Sequence, residues 1–280
     1  MLRIAVPNKG ALSEPAAAML KEAGYRGRRD AKELVLTDAD NGVEFFFLRP
    51  RDIAVYVGSG TLDAGITGRD LLLDADATAR EVLQLGFARS TFRFAGRPGV
   101  ATAVRDLGGT RIASSYAGLV RAHLAEHGVE ADVVRLDGAV ETAITLGVAD
   151  VIADVVETGT TLRNQGLEVF GEPILTSEAV LVARGDADTA ALEVLVRRLQ
   201  GVLTARGYVM LDYDVPSQLV DQACALTPGL ESPTVSNLQN ADWKAVRAMV
   251  PREATNRVMD QLYDLGARAI LVTDIAACRL

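Results

Sequence analysis

The stretch that decides the fold is residues 141–162, which read ETAITLGVADVIADVVETGTTL. Residues 151–156 are β-branched or small apart from one aspartate, a composition typical of a buried parallel strand. Thr161 and Leu162 can begin a helix behind the polar loop that follows this strand. The stretch therefore predicts a strand, a loop and a helix in succession, the repeating unit of an α/β fold.

The loop between this strand and this helix has the composition of a phosphate-binding loop. A helix that begins there points unpaired N–H groups and about half a positive charge at an anion. Gly159 has no Cβ to keep a phosphate off the backbone. Three threonines add hydroxyl donors: Thr158, Thr160 and Thr161. Asp154 and Glu157 would repel a phosphate, so they indicate a ligand that also carries hydroxyls or a magnesium ion. The alternative is a tight turn that only caps a helix.

Length and composition predict a globular protein of two or three domains, because 280 residues with 49% hydrophobic content can bury several cores. No segment reaches the roughly eighteen apolar residues of a membrane span, and residues 2–6 are too short for a signal-peptide core. Two cysteines are too few for a disulfide framework or a cysteine-based zinc site. We therefore expect a cytoplasmic protein.

The charge balance argues against a nucleic-acid-binding protein. The net charge is -8, and the basic residues form no clustered run that could follow a phosphate backbone. Any anionic ligand must then be bound by individual lysine or arginine side chains. Lys9 is one of only four lysines and follows a strand, which makes it a natural point-charge partner for a phosphate.

The first two thirds of the chain alternate between predicted strands and helices. Such alternation implies parallel sheets flanked by helices, with ligands at the carboxyl ends of the strands. We expect two similar lobes that face a cleft. Lobe I would comprise residues 1–90 and 178–207, and lobe II residues 91–177 with the phosphate loop. A helix over 139–146 is predicted in lobe II, ahead of the strand at 151–156.

The pattern changes after Gly207. Residues 208–280 predict the order βαββαβ, which is the ferredoxin-like split unit. A domain of roughly 70 residues is marginal by itself, so docking on neighbours or oligomerisation is expected.

The chain resembles a known enzyme family along its whole length. Signature residues stand at family spacing at Glu141, Gly147, Ala149, Ile152, Asp154, Val155, Thr158, Gly159, Thr161 and Leu162. Further matching segments are 6–10, 49–52, 65–70, 211–214 and 228–234. The family is ATP phosphoribosyltransferase, the first enzyme of histidine biosynthesis, in its long form. This resemblance implies an α/β core of two lobes like those of periplasmic binding proteins, followed by a ferredoxin-like regulatory domain.

The resemblance implies a reaction as well as a fold. N1 of ATP is joined to C1 of 5-phosphoribosyl 1-diphosphate, and pyrophosphate leaves with Mg²⁺. The metal would be carried by the substrate phosphates, with no direct protein ligands. The loop, together with Val155, would hold the 5-phosphate. Glu141 and Asp154 would meet the ribose hydroxyls and favour positive charge on the ring.

Other side chains take roles by the same resemblance. Lys9, Arg49 and Arg51 would grip the pyrophosphate or the ATP triphosphate, with Lys9 also assigned to catalysis. Each could instead be a solvated surface charge, and Arg51 stands where many family members have lysine. The predicted ATP contacts are Asp70, Leu71 and Tyr116. Asp70 could instead cap a helix, and Tyr116 could be a packing residue. His123 and His127 are predicted to lie on an exposed helix face.

In the resembling enzymes the third domain binds histidine, the feedback inhibitor, and helps to build a hexamer from dimers. A complementary pocket is predicted from Asp214, Leu230, Ser232, Thr234 and Ala269. Asp214 is predicted to end its strand, and it could instead only cap the helix that follows.

Two other classes of protein remain open. A non-catalytic two-lobed regulatory protein could keep the cleft for a nucleotide or sugar phosphate without turnover. A nucleobase phosphoribosyltransferase also places acidic residues ahead of a Thr-Gly-x-Thr turn, although paired lobes and a βαββαβ unit argue against that class.

Overall fold

The computed structural model of the protein describes residues 1–30, 32–156, 160–185 and 189–279, without the side chains of Thr161 and Thr189. The strands are β1 Leu2–Pro7, β2 Val35–Asp38, β3 Val43–Leu48, β4 Ala64–Gly68, β5 Arg80–Gln84, β6 Ser90–Gly96, β7 Arg111–Ser114, β8 Asp132–Arg135, β9 Val151–Val156, β10 Glu168–Ser177, β11 Ala179–Ala183, β12 Tyr208–Pro216, β13 Thr234–Asn237, β14 Trp243–Pro251 and β15 Arg268–Asp274. The α-helices are α1 Ser13–Glu22, α2 Pro50–Gly58, α3 Arg69–Asp74, α4 Ala117–Glu126, α5 Thr142–Thr145, α6 Thr160–Asn164, α7 Thr189–Gly207, α8 Val220–Leu226 and α9 Thr255–Leu265.

One sheet has six strands in the order β2-β3-β1-β4-β11-β5. β1 lies parallel to β3 and β4, and the chain reaches β3 through an antiparallel hairpin with β2. The apolar face of α2 covers this sheet with Ile53, Ala54 and Val57, all fully buried. This packing leaves the carboxyl ends of β1, β3 and β4 at one edge of the sheet.

The second sheet has five strands in the order β10-β6-β9-β7-β8. Its centre is β9, the strand expected from the sequence, which pairs in parallel with β7 and antiparallel with β6. Phe92, Phe94 and Ile112 pack beside it among the largest fully buried side chains. Both sheets belong to one compact unit, residues 1–21 and 25–196.

The alternation of strands and helices predicted parallel sheets, and the structure adds antiparallel strands to both sheets. β11 runs antiparallel to β4 and β5, and β10 runs antiparallel to β6. The chain leaves the first sheet after β5 and returns to it only at β11, which lies between β4 and β5 and runs in the opposite direction to both. The predicted helix over 139–146 is also too long. Gly138 and Ala139 have φ values of 142° and 47°, which an α-helix does not accept, so α5 begins only at Thr142.

The second compact unit holds residues 22–24 and 197–280. Its four-stranded sheet has the order β13-β14-β12-β15, antiparallel throughout, and α8 and α9 supply the helical layer. The chain order β12-α8-β13-β14-α9-β15 is the predicted βαββαβ unit. With the two-sheet α/β core, it confirms the predicted fold class. The lobe boundaries at 90, 178 and 207 stay predictions.

Tyr213 anchors the core of this unit. Its ring is 2% exposed, and its hydroxyl lies 2.8 Å from the hydroxyl oxygen of the buried Thr227. Burial raises the pKa of Tyr213 to about 12. β12 continues to Pro216, so Asp214 lies inside this strand, opposite Ala245. The prediction that Asp214 ends its strand is therefore wrong, and so is the alternative that it caps the following helix.

The two histidines also differ from expectation. His123 is half-buried on α4, with its ring 5.9 Å from that of Phe94, and only His127 is exposed. Burial lowers the pKa of His123, and the neighbouring His127 lowers it further. Within the parts of the chain that the structure describes, no helix is long and apolar enough to cross a membrane.

Candidate active site

A cavity of about 680 Å³ lies in the first compact unit and is lined by residues from the regions of both sheets. It gathers eight of the predicted ligand-binding residues: Lys9, Arg49, Arg51, Asp70, Leu71, Tyr116, Asp154 and Val155. Most of them follow the carboxyl ends of strands, the place where α/β sheets bind ligands. The cavity is therefore where the predicted residues of lobe I and lobe II meet.

Other predicted residues are not among those that line the cavity. Glu141 precedes α5, and Thr160 is exposed at the start of α6. Glu157, Thr158 and Gly159 lie outside the described residues, as does the side chain of Thr161. The placement of the phosphate loop therefore stays a prediction.

Sequence reasoning missed Asp137, which follows β8 and lines the same cavity. A signal for it was present, since an acidic residue directly after a strand and before a glycine suits a ligand-facing loop. Ser90 and Leu12 also line the cavity, but nothing in their sequence context sets them apart.

Asp154 is the partly buried carboxylate of the cavity. Burial raises its pKa, and the charge of Glu141 raises it further, while the backbone N–H of Val155, 2.8 Å away, acts in the opposite direction. Arg93 is the cross-strand partner of Asp154 on β6, but its guanidinium donates to the carbonyl of Gly171 at 2.6 Å. Asp154 is thus held in a desolvated position that favours an added positive charge.

Asp70 is buried at the start of α3, where its side chain is fixed. The hydroxyl of Ser177 donates to its carboxylate and accepts from its backbone N–H, both at 3.0 Å. The N-cap of α3 is Gly68, which places Asp70 in the first turn. The alternative that Asp70 caps this helix is therefore wrong.

Tyr116 lies beside Asp70 at the cavity. Burial raises its pKa above the usual range, and the nearby charge of Asp70 adds to the effect. Its ring meets Phe92 edge-on at 5.1 Å, and the guanidinium of Arg51 lies 5.0 Å from the ring centroid. Arg51 also forms an ion pair with Asp74 at 2.6 Å.

Lys9 and Arg49 differ from Arg51 in their pairing. Both are exposed at the cavity, and within the described ranges neither has an acidic side chain at ion-pair distance. The cavity thus combines uncompensated cations with partly buried carboxylates. This combination in an α/β fold is typical of a transferase that handles phosphorylated, hydroxyl-bearing substrates.

Comparisons with known proteins identify the family. The model described as ATP phosphoribosyltransferase matches residues 49–201, and the model of its C-terminal domain matches residues 205–277. The chain is 68% identical to an ATP phosphoribosyltransferase of Arthrobacter sp. (strain FB24) and 66% identical to one of Streptomyces coelicolor, covering 100% of both chains in each case. The chain belongs to the ATP phosphoribosyltransferase family.

A solved structure supports the same relationship. A chain of the ATP phosphoribosyl transferase (HisG:HisZ) complex from Thermotoga maritima is 27% identical, with a TM-score of 0.64, over 74% of this chain and 99% of that chain. The predicted enzyme class is confirmed: a pentosyltransferase of the first step of histidine biosynthesis, with ATP and 5-phosphoribosyl 1-diphosphate as substrates. Enzymes of this family generally use a divalent metal ion.

Proposed function

We propose that the cavity is the site where ATP and 5-phosphoribosyl 1-diphosphate react. The bond formed joins N1 of adenine to C1 of the ribose, and the bond broken is that from C1 to the departing pyrophosphate. The observation that carries this proposal is the contrast between the desolvated Asp154 and the exposed cations at the same cavity. The reaction needs both, since a ribose gains positive charge while a pyrophosphate leaves.

Asp154 would face the ribose, with Glu141 acting nearby. An ionised carboxylate accepts hydrogen bonds from ribose hydroxyls and stabilises an oxocarbenium-like ring. The burial of Asp154 strengthens this interaction, because screening by water is weaker there. The missed residue Asp137 lines the same cavity and adds a further acceptor.

The phosphates would be divided between two groups of residues. The backbone after Val155 and the loop Glu157, Thr158, Gly159, Thr160 and Thr161 would hold the 5-phosphate. Lys9 and Arg49 would hold the departing pyrophosphate, because their charges lack acidic partners among the described residues. Arg51 stays a predicted phosphate ligand, but its ion pair with Asp74 favours another role.

Adenine would lie against the wall formed by Asp70, Leu71 and Tyr116. The fixed carboxylate of Asp70 can accept a hydrogen bond from the exocyclic amine. Leu71 and the ring of Tyr116 supply apolar surface. This placement would orient N1 toward C1 and so turn a reaction between two substrates into one within a single complex.

Mg²⁺ is the metal we propose. The oxygens of the substrate phosphates are hard ligands, and ligands of this kind suit magnesium. We propose that the ion arrives on the substrate phosphates, where it supplies charge neutralisation of the leaving pyrophosphate.

The C-terminal unit would carry histidine inhibition. Asp214 and Thr234 lie on β12 and β13, which are separated by β14, and Asp214 pairs with Arg268 beside Ala269. Ala269 has a φ of 49° where the pairing of β12 and β15 shifts register. Leu230 and Ser232 are exposed in the segment before β13. These five residues are proposed to bind histidine, in a cytoplasmic enzyme that assembles as dimers and hexamers.

Turnover by purified chain tests the proposal. The chain is mixed with 5-phosphoribosyl 1-diphosphate, Mg²⁺ and either ATP or free nucleobases, and released pyrophosphate is measured. We expect pyrophosphate to be released when ATP is the second substrate and not when a free nucleobase replaces it. This release should be lost when the metal is chelated and reduced when histidine is added. Turnover of a free base, or none with ATP, would contradict the proposal.

A further inference from the structure

Asp74, the last residue of α3, binds two distant parts of the first unit at once. One carboxylate oxygen pairs with Nη1 of Arg51 at 2.6 Å. The other accepts the backbone N–H groups of Gly118 at 2.9 Å and Leu119 at 3.3 Å. The side chain is only 5% exposed, so this charge is satisfied by these partners rather than by water.

The N–H groups that Asp74 accepts belong to the first turn of α4. The N-cap residue of this helix, Tyr116, makes no side-chain capping bond, so Asp74 supplies from another helix the acceptor that an N-cap residue normally provides. The positive end of the helix dipole also favours a carboxylate there. Asp74 therefore acts as a capping residue across the junction of α3 and α4.

The junction is packed too closely for a side chain at Gly118. A Cβ at this position would collide with the carbonyl oxygen of Asp74. Small shifts of either helix would therefore change the contact, and with it the position of Tyr116, which immediately precedes α4.

The other partner of Asp74 forms part of the cavity wall. Arg51 and Tyr116 both line the cavity, and the guanidinium lies 5.0 Å from the centroid of the Tyr116 ring. A planar guanidinium stacks on an aromatic face in a way that a lysine ammonium cannot. The charge of Arg51 is already compensated, unlike those of Lys9 and Arg49, so Arg51 is suited to shape rather than to anion binding.

We propose that Asp74 is a positioning residue for the nucleotide. It holds Arg51 over Tyr116 and caps the helix that follows Tyr116, so that one carboxylate sets both halves of the wall against which adenine lies. The assignment of adenine to this wall rests on the proposed function. The ion pair and the cap stand independently of it.

The test uses three variants: Asp74→Asn, Arg51→Met and the double variant. Asp74→Asn keeps an oxygen that can accept from the α4 N–H groups but loses the charge that holds Arg51. KM for ATP and KM for 5-phosphoribosyl 1-diphosphate are measured for each. We expect Asp74→Asn to raise KM for ATP at least fivefold and to leave the other KM within twofold. The double variant should match Arg51→Met alone, because the two residues act through one contact.

Asp150→Asn is the matched control. Asp150 also pairs with an arginine, Arg111 at 2.8 Å, and accepts that residue's backbone N–H, but it is not among the cavity-lining residues. This variant should leave both KM values unchanged. Equal rises in both KM values for Asp74→Asn, multiplying effects in the double variant, or a rise confined to 5-phosphoribosyl 1-diphosphate for Arg51→Met would overturn the proposal.

Melting temperatures are also measured without substrate for the parent, Asp74→Asn, Arg51→Met and the double variant. They separate the positioning role of Asp74 from the proposed function. Nonadditive losses for Asp74→Asn and Arg51→Met would support the ion pair even if the parent failed to use ATP, which would count against the proposed function alone. Additive losses would count against the positioning role of Asp74.

Discussion

Replacing Asp154 by asparagine should lower turnover and raise thermal stability at the same time. Burial raises the pKa of Asp154, so the folded protein binds this proton more tightly than the unfolded chain does. Stability is therefore lost as pH rises from the ordinary aspartate value through the raised value. Asparagine carries no charge at any pH. The ligand-free variant should melt higher than the parent at neutral pH, and the difference should shrink as pH falls.

The same burial sets the size of the loss in turnover. A carboxylate about 4 Å from a full positive charge contributes about 4 kcal/mol at an effective dielectric constant of about 20, but about 1 kcal/mol in water. A ribose carrying about half a charge in the transition state would then lose about 2 kcal/mol, or roughly 30-fold in kcat. If the carboxylate of Asp154 were fully exposed to solvent, its replacement would lower kcat only about twofold.

Steady-state kinetics and thermal melting without substrate decide the matter, with Asp150→Asn as the control. Asp150 lies directly before the same strand, but its pKa is lowered by its hydrogen bonds to Arg111. The carboxylate of Asp150 therefore stabilises the fold at pH values above the ordinary aspartate pKa, and this stabilisation is lost as pH falls. Asp150→Asn should melt at a lower temperature than the parent at neutral pH and keep its turnover. An Asp154→Asn protein with the same kcat as the parent would refute the ribose contact, and a loss of only about twofold would show that this contact is exposed to solvent. One that melts lower would refute the burial argument.

Three further predictions concern the loop and the C-terminal unit. Gly159→Val should place a side chain in the proposed 5-phosphate site and raise KM for 5-phosphoribosyl 1-diphosphate far more than Thr160→Ser does. A near-normal KM in the valine variant would remove the loop from the proposed site. Asp214→Ala should relieve inhibition by histidine while sparing uninhibited turnover, since the coupling between sites is typically 1 to 3 kcal/mol and acts only when histidine is bound. A variant inhibited like the parent would exclude Asp214. Tyr213→Phe should lower the free energy of unfolding by about 1 kcal/mol in urea titration, because the buried hydroxyl bond to Thr227 is lost; an unchanged midpoint would show that this bond contributes nothing.

Local patterns in the sequence predicted elements whose signal lies within the element itself. The first half of strand β9 is buried, and its β-branched valines and isoleucine, interrupted only by Ala153 and Asp154, made it recognisable in the sequence. The βαββαβ order of the C-terminal unit was readable for a similar reason, since each element alternates at its own period. The polar strand β5 and the bulged strand β10 lack such a period, and neither was predicted.

The sequence by itself determined the family, the central strand, the C-terminal unit and the types of residue that the chemistry needs. Only the tertiary structure decided which of these residues meet. Asp70 is held by Ser177, 107 residues away, and Arg51 is paired with Asp74 rather than left open to an anion. Propensity and periodicity act over a few neighbouring residues, whereas ion pairs, burial and pKa shifts arise from contacts that exist only after the chain has folded.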